Sequence, residues 1–295
     1  MNTAIAAALT SALGAAVDAR SARLVGGGSI HTAYRCQTKR GVLFVKTASI
    51  AAAACLAAEA EGLRELANAN ANALRTPQVL ASGNTAEGAF LALEWFDFAP
   101  PNSIVEIRLG EQLAALHRRE AREHGWRRDN FIGTTVQRNT RTDDWVQFFR
   151  TQRLEPQLHL AQQNGAAAGL IDRGQLLCES LEAFFATYRP VPSLLHGDLW
   201  GGNWGATRDD VPVIFDPAVY FGDRETDIAM TRLFGGFSSE FYAAYAAAWP
   251  LDAGATSRVT LYNLYHMLNH FNLFGGRYLA PARSMLDASL AQIGR

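Results

Sequence analysis

The spacing of polar residues between positions 196 and 216 constrains this chain more than any other feature. An apolar run, Leu194-Leu195, delivers His196-Gly197-Asp198 into a loop, and Asn203 follows Asp198 by five positions. A second apolar run, Val213 to Phe215, presents Asp216 thirteen positions after Asn203. Moving a phosphoryl group from ATP to a hydroxyl requires one carboxylate to take the hydroxyl proton. It also requires two oxygen ligands that hold magnesium (Mg2+) against the phosphates. Asp198, Asn203 and Asp216 match these roles in chain order, with His196 supporting the loop. Each alone has a plainer reading as a helix cap, a turn former or a loop histidine. The set, joined to partners upstream, points to phosphoryl transfer.

Those partners sit near the start. Arg23–Val25, Ala33–Cys36 and Val42–Lys46 read as three antiparallel strands, the first turn being Gly26-Gly27-Gly28-Ser29. Glycines let backbone N–H groups approach phosphates closely, although such a run also suits a plain flexible hairpin. Lys46 ends an apolar strand, and a lysine there is ordinarily a solvated edge residue. Its functional alternative contacts ATP phosphates and pairs with a glutamate on the next helix. Ala51 to Asn68, rich in Ala, Leu and Glu, supplies that helix. Glu59 lies nearer the stripe of Leu56, Leu63 and Leu66 and is the expected partner, with Glu61 on the wet side. Strands at Val79–Ser82 and Ala89–Phe96 follow, then Ala99-Pro100-Pro101 as a hinge. Adenine would be held there by backbone groups, Glu94 and Phe96 being the nearest positions.

The lobe boundary is expected near residue 97, giving an N-terminal ATP-binding lobe over 1–97 and a catalytic and substrate-binding lobe over 98–295. The fold class is α+β and bilobal, a small antiparallel sheet with one main helix followed by a larger, mostly helical part. Helices are expected over Ile104–Arg119, from about Asp143 through Leu160, over Ile171–Tyr188 and over Thr260–Phe274. His117 reads as a helix-end residue. His266 and His270 stand four apart but lack a third ligand, which argues against zinc. Asp227, in the acidic first turn of a helix opening at Gly222, either caps that helix or bonds the backbone of the catalytic loop. The cluster Asp198, Asp216, Asp223 and Asp227 also suits a two-metal hydrolase, which would leave the glycine-rich turn, Lys46 and Glu59 without a purpose.

Composition narrows the partners. The 295 residues are 48% hydrophobic and 19% charged, enough for a sizeable core, with a net charge of -1. Without a basic field, nucleic acid is not an expected partner. Three isolated cysteines, Cys36, Cys55 and Cys178, suggest neither a disulfide framework nor structural zinc, and fit a reducing cytoplasm. Ala4 to Val17 lacks a basic leader and is too short to span a bilayer, so it reads as an amphipathic helix and no membrane association is expected.

The run His-Gly-Asp-Leu-Trp-Gly-Gly-Asn at 196–203, the run Asp-Pro-Ala-Val-Tyr-Phe-Gly-Asp-Arg-Glu-Thr-Asp at 216–227 and Phe-Gly-Gly-Phe at 234–237 resemble the fructosamine kinase (ketosamine-3-kinase) family. The likeness continues through Asp-Asn-Phe-Ile-Gly at 129–133 and Arg-Leu-Glu-Pro-Gln-Leu at 153–158. It implies a protein-kinase-like fold and ATP-dependent phosphorylation of the sugar O3 of ketosamines. The resulting ester is unstable, so the implied role is deglycation. Asp198 would be the catalytic base, Asn203 and Asp216 the metal ligands, and Trp200 a wall for the sugar, although core packing would also account for a tryptophan there. The implied acceptor is a small ketosamine, with glycated protein lysines as a further class, acted on by a monomer or homodimer. Aminoglycoside phosphotransferases and choline kinases share His-Gly-Asp and Asn, and a kinase for such a hydroxyl is the alternative; a non-catalytic nucleotide binder ranks below it. Some family members carry a cysteine in the glycine-rich turn where this chain has Ser29, so redox control through that turn is not expected.

Overall fold

The structure is a computed structural model that describes residues 1–26, 30–69 and 74–295. Helix α1 (Thr3–Leu13) opens the chain, its first turn capped by the Asn2 side chain on the Ala4 amide. Five antiparallel strands follow: β1 (Arg23–Val25), β2 (Thr32–Thr38), β3 (Gly41–Ala48), β4 (Val79–Thr85) and β5 (Gly88–Glu94), ordered β1-β2-β3-β5-β4. Helix α2 (Ala53–Ala69) joins β3 to β4.

The alternation of side chains along a strand decides how this sheet is covered. In β5, Phe90 and Ala92 pack with Ile5 and Leu9 of α1, whereas Ala89, Leu91 and Leu93 pack with Leu56 and Leu63 of α2. Both faces are buried, so Ala89 to Leu93 reads as an unbroken apolar run. In β3, Leu43 and Val45 share the α1 face, and Phe44 and Ala48 share the α2 face. By the same parity Lys46 faces α2.

The rest is mainly helical. Strand β6 (Phe98–Ala99) leads to α3 (Ser103–His117), the hairpin β7 (Asn130–Ile132) and β8 (Thr135–Gln137), then α4 (Trp145–Phe148), α5 (Glu155–Gln163) and α6 (Ala168–Glu179). Short strands β9 (Ser193–Leu195), β10 (Trp204–Thr207), β11 (Pro212–Ile214) and β12 (Tyr220–Gly222) precede α7 (Glu225–Leu233), α8 (Ser239–Ala248), α9 (Ala255–Phe274) and α10 (Leu279–Gln292). β9 pairs with β12, and β10 lies between β11 and β6. One large core unites α3 and α4 to α10, with Leu109, Phe148, Leu195, Phe241 and Leu268 all essentially inaccessible. The α+β architecture expected from the sequence is the one observed.

Two expected helices are interrupted. Between α4 and α5 a π-helical turn covers Phe149–Leu154, closed by the Glu155 amide on the Arg150 carbonyl. Pro156 has no N–H to give the Gln152 carbonyl, which loosens the α ladder there. α6 stops at Glu179 because the Ser180 hydroxyl bonds the Leu176 carbonyl and its amide turns to Leu177, so Leu181–Phe185 continues as 3-10 helix. Among the described residues no helix is long and apolar enough to cross a membrane.

Candidate active site

β9 ends at Leu195 and releases His196 to Asn203 as a loop that closes on itself. The Asn203 Nδ2 donates to the Asp198 carbonyl at 2.8 Å and to its Oδ2 at 3.2 Å. The Asn203 amide donates to the Trp200 carbonyl at 2.9 Å, and the Phe215 amide to the Asn203 carbonyl at 3.0 Å. That last bond ties the loop to the end of β11 and brings Asp216 to it. Asp216 sits at φ 58°, a left-handed conformation unusual outside glycine. Gly197, at φ 82°, has no alternative: a Cβ there would lie 2.1 Å from the Ala218 carbonyl oxygen. His196 links both segments, its Nε2 bonding the Phe215 carbonyl at 2.9 Å and its Nδ1 the Asp198 amide at 3.2 Å. The imidazole is therefore the tautomer protonated on Nε2.

The predicted Lys46 partner is correct in geometry. Lys46 Nζ lies 2.8 Å from Glu59 Oε1 and 2.5 Å from Asp216 Oδ1. The ammonium thus joins β3, α2 and the end of β11. Burial alone would lower the lysine pKa, but Asp216 and Glu59 outweigh it and hold the group cationic. Burial drives Glu59 up to about 7, Lys46 opposing it and Asp216 adding to it. Two carboxylates share one ammonium, which favours arrival of a further cation. α2 can approach this closely because of Gly62, where a Cβ would meet Pro217 at 3.1 Å.

Behind the loop lies a buried brace. Asp227, on the first turn of α7, accepts the His196 amide at 2.7 Å and the Gly197 amide at 2.9 Å, the bonds expected of it. His117 Nε2 approaches the same carboxylate at 3.2 Å, and its Nδ1 meets the Tyr245 hydroxyl at 2.8 Å. Burial would raise the Asp227 pKa, yet His117, His196 and the Gly197 amide hold it below the ordinary value. Asp198 moves the other way: burial, then Asp216 and Asp227, raise it well above an ordinary aspartate, with Asn203 opposing.

Several expectations are corrected. His117 closes α3 as expected but is wholly buried there, four residues beyond Leu113 on the apolar stripe, a spacing that could have signalled its burial. Glu61 is not on the wet side: it pairs with Arg127 and Arg128 and ties α2 to the loop before β7. Asp223 does not join the other acids, because its carboxylate is taken up by Tyr188, Tyr262 and the Glu225 amide. Among the described residues no three His, Cys, Asp or Glu side chains form a metal-binding group, and His270 Nδ1 bonds the His266 carbonyl. Trp200 is 37% exposed and does not pack in the core. Glu94 pairs with Arg75 at 2.5 Å. Phe96 stacks on Phe98, and Phe98 on Phe215, an aromatic file from the hinge to the residue before Asp216. Gly26 is open on its Cβ side; Gly27, Gly28 and Ser29 lie outside the described residues.

The fructosamine kinase family model matches residues 1–292. The chain belongs to the fructosamine kinase family. A protein of Synechocystis named a probable ketoamine kinase is 40% identical over 269 residues, covering 91% of this chain and 90% of that one. The chloroplastic protein-ribulosamine 3-kinase of Arabidopsis thaliana is 36% identical over 272 residues, 91% of this chain and 82% of that one. Among solved structures, a candidate fructosamine-3-kinase from Thermobifida fusca superposes with a TM-score of 0.87 at 32% identity, covering 99% and 100% of the two chains. Aminoglycoside phosphotransferase APH(4)-Ia superposes at 0.66 with 13% identity, covering 98% of each, which shows the shared kinase-like fold. A kinase of this family takes ATP as its phosphoryl donor, with a divalent cation.

Proposed function

We propose that this chain is a ketosamine 3-kinase, transferring the ATP γ-phosphoryl group to the sugar O3 of ribulosamine or fructosamine adducts and so promoting deglycation. The observation that carries the proposal is the junction of Lys46, Glu59 and Asp216 beside Asp198 and Asn203, in a chain 40% identical to a named ketoamine kinase. In this reading Asp198 accepts the O3 proton as the oxygen attacks phosphorus. The O3–P bond forms, the bond to the β,γ-bridging oxygen breaks, and ADP leaves. The raised pKa of Asp198 suits a base that must hold a proton during transfer.

Lys46 contacts the nucleotide phosphates, Glu59 fixes its direction, and Gly26, Gly27, Gly28 and Ser29 cover the phosphates. The backbone near Glu94 and Phe96 holds the adenine, and the lobe boundary lies near residue 97 in this reading. The residues fit magnesium: Asn203 spends its Nδ2 on Asp198, leaving Oδ1, and Asp216 adds carboxylate oxygen, a hard donor set. Bound there, the ion would neutralise charge on the β- and γ-phosphates. His196 and Asp227 position Asp198, and Trp200 walls the acceptor. Glycated protein lysines are a second class of acceptor. Three free, buried cysteines support a reducing cytoplasm.

The test is magnesium-dependent ADP formation across ribulose and fructose adducts, aminoglycosides and choline, with Asp198→Asn as control. Turnover of the ketosamines that vanishes in the variant is expected. Turnover of an aminoglycoside or choline, with none of any ketosamine, would overturn the reading.

A further inference from the structure

Phosphoryl transfer itself uses neither Asp-Asn-Phe-Ile-Gly at 129–133 nor Arg-Leu-Glu-Pro-Gln-Leu at 153–158. The structure joins the two behind Asp216. Asn130 and Gln137 face each other at the open end of the β7–β8 hairpin, and both are buried. Asn130 Nδ2 donates to the Val219 carbonyl at 2.7 Å, and Gln137 Nε2 donates to the Ala218 carbonyl at 3.0 Å. Ala218 and Val219 lie two and three residues beyond Asp216.

Both amides are also held from the other side. Gln137 Nε2 donates to Asn130 Oδ1 at 2.8 Å, and Gln137 Oε1 accepts the Tyr265 hydroxyl at 3.0 Å. Asn130 Oδ1 accepts Asn139 Nδ2 at 2.8 Å, and Asn139 Oδ1 accepts Arg153 Nη2 at 2.9 Å. Arg153 is wholly buried on the π-helical turn, its guanidinium over the Tyr220 ring at 4.0 Å. Polarity propagates from it. A guanidinium can only donate, so Asn139 turns its oxygen to Arg153 and its nitrogen to Asn130, and Asn130 must turn its nitrogen to Val219.

Asp216 needs such holding, because its left-handed backbone at φ 58° persists only where neighbours fix it. Upstream, the Phe215 amide bonds the Asn203 carbonyl; downstream, Pro217 has no amide to give, and the Ala218 amide bonds the His196 carbonyl at 2.8 Å. The hairpin supplies the remaining fixed points, the Ala218 and Val219 carbonyls. We infer that the β7–β8 hairpin positions the metal ligand Asp216, with Asn130 and Gln137 as positioning residues and Arg153 setting their polarity. The inference rests on the reading of Asp216 as a magnesium ligand. Neutral amides suit the place, since they donate without adding charge beside carboxylates that already share one ammonium.

Two variants test it. Gln137→Glu keeps the shape but sets an acceptor against the Ala218 carbonyl; Tyr265→Phe removes only the hydroxyl that steers the Gln137 amide. ATP binding is measured by calorimetry without acceptor, in magnesium and in EDTA, for the wild type, both variants, Asp216→Asn and Asp216→Asn/Gln137→Glu. The expected result is magnesium-dependent binding about tenfold weaker in Gln137→Glu, the scale on which the partners of metal ligands act, and a few-fold weaker in Tyr265→Phe. Binding in EDTA stays within error of wild type in both. Because Gln137 acts through Asp216, the double variant binds no more weakly than Asp216→Asn alone. Equal weakening with and without magnesium, full additivity in the double variant, or no change in either single variant overturns the inference. If Gln137→Glu does not fold, Tyr265→Phe decides alone: a loss confined to magnesium upholds the inference, and any other result overturns it. The wild type reads the underlying assignment separately, since ATP binding that Asp216→Asn leaves equally responsive to magnesium overturns Asp216 as a ligand and the inference with it.

Discussion

Replacing Asp227 with Asn tests whether the catalytic loop is held from behind by charge. The carboxylate is 1% exposed and accepts the His196 and Gly197 amides at 2.7 and 2.9 Å, with His117 Nε2 at 3.2 Å. All three neighbours are donors. An asparagine with its oxygen at the Oδ2 place keeps the His196 and His117 contacts without their charge and turns an NH2 toward the Gly197 amide, so one charge-assisted bond is lost outright and two are weakened. At roughly 1.5–3 kcal/mol each, with a buried donor left unsatisfied, the expected destabilisation is about 3–5 kcal/mol. For a chain of this size that lowers Tm by roughly 6–15 °C. Because the amides of His196 and Gly197 also aim Asp198, kcat should fall at least about tenfold even where the variant is fully folded. Calorimetry or a denaturant titration reads the first effect, and initial rates below the new Tm read the second. The pH sign follows from the depressed Asp227 pKa: its stabilisation is complete above the ordinary aspartate range and is lost as pH falls through the lower folded value. The wild-type advantage over Asp227→Asn should therefore shrink in acid. A variant with unchanged Tm and unchanged kcat would refute the brace.

Three further outcomes are expected. Lys46→Met leaves Glu59 and Asp216 without their ammonium and should cost about 10²-fold in kcat/KM by initial-rate kinetics, with Glu59→Gln losing about tenfold; wild-type kinetics in both would remove Lys46 from the site. Gly197→Ala forces a Cβ to 2.1 Å from the Ala218 carbonyl at φ 82°, so a loss of at least about 2 kcal/mol in denaturant unfolding is expected. An alanine variant as stable as wild type would contradict the loop geometry. Since Asp198 must be ionised to accept a proton and its pKa is raised, the rate should rise with pH through a limb lying above the ordinary aspartate value of about 3.9. A limb at or below that value, in a pH–rate profile that Asp198→Asn abolishes, would count against Asp198 as the base.

Much of the site was legible because its parts are local. His-Gly-Asp with Asn at plus five lies within one loop, and a lysine on an apolar strand followed by the leucine stripe of α2 was enough to pair Lys46 with Glu59. What was hidden depends on long-range packing. His117 and Asp227 are 110 positions apart and meet only through the tertiary packing that sets α3 on α8 and α7 on α9. Glu61 looked wet because nothing in α2 reveals that Arg127 and Arg128 cover it. Asp223 could be counted in a two-metal cluster because a run of acids does not disclose that Tyr188 and Tyr262 claim one of them. The interruptions beside Pro156 and at Ser180 were missed, because whether a helix breaks or merely shifts its bonding depends on what its side chains pack against.

The most direct test of the central claim is to identify the product. The chain is mixed with ATP, magnesium chloride and fructosyl- or ribulosyl-lysine, and phosphorus NMR with mass spectrometry follows the sugar. The account predicts a phosphomonoester on O3, followed by release of free lysine, with neither formed by Asp198→Asn. ATP consumed without a phosphorylated ketosamine, or phosphate on a different hydroxyl with no lysine released, would contradict it.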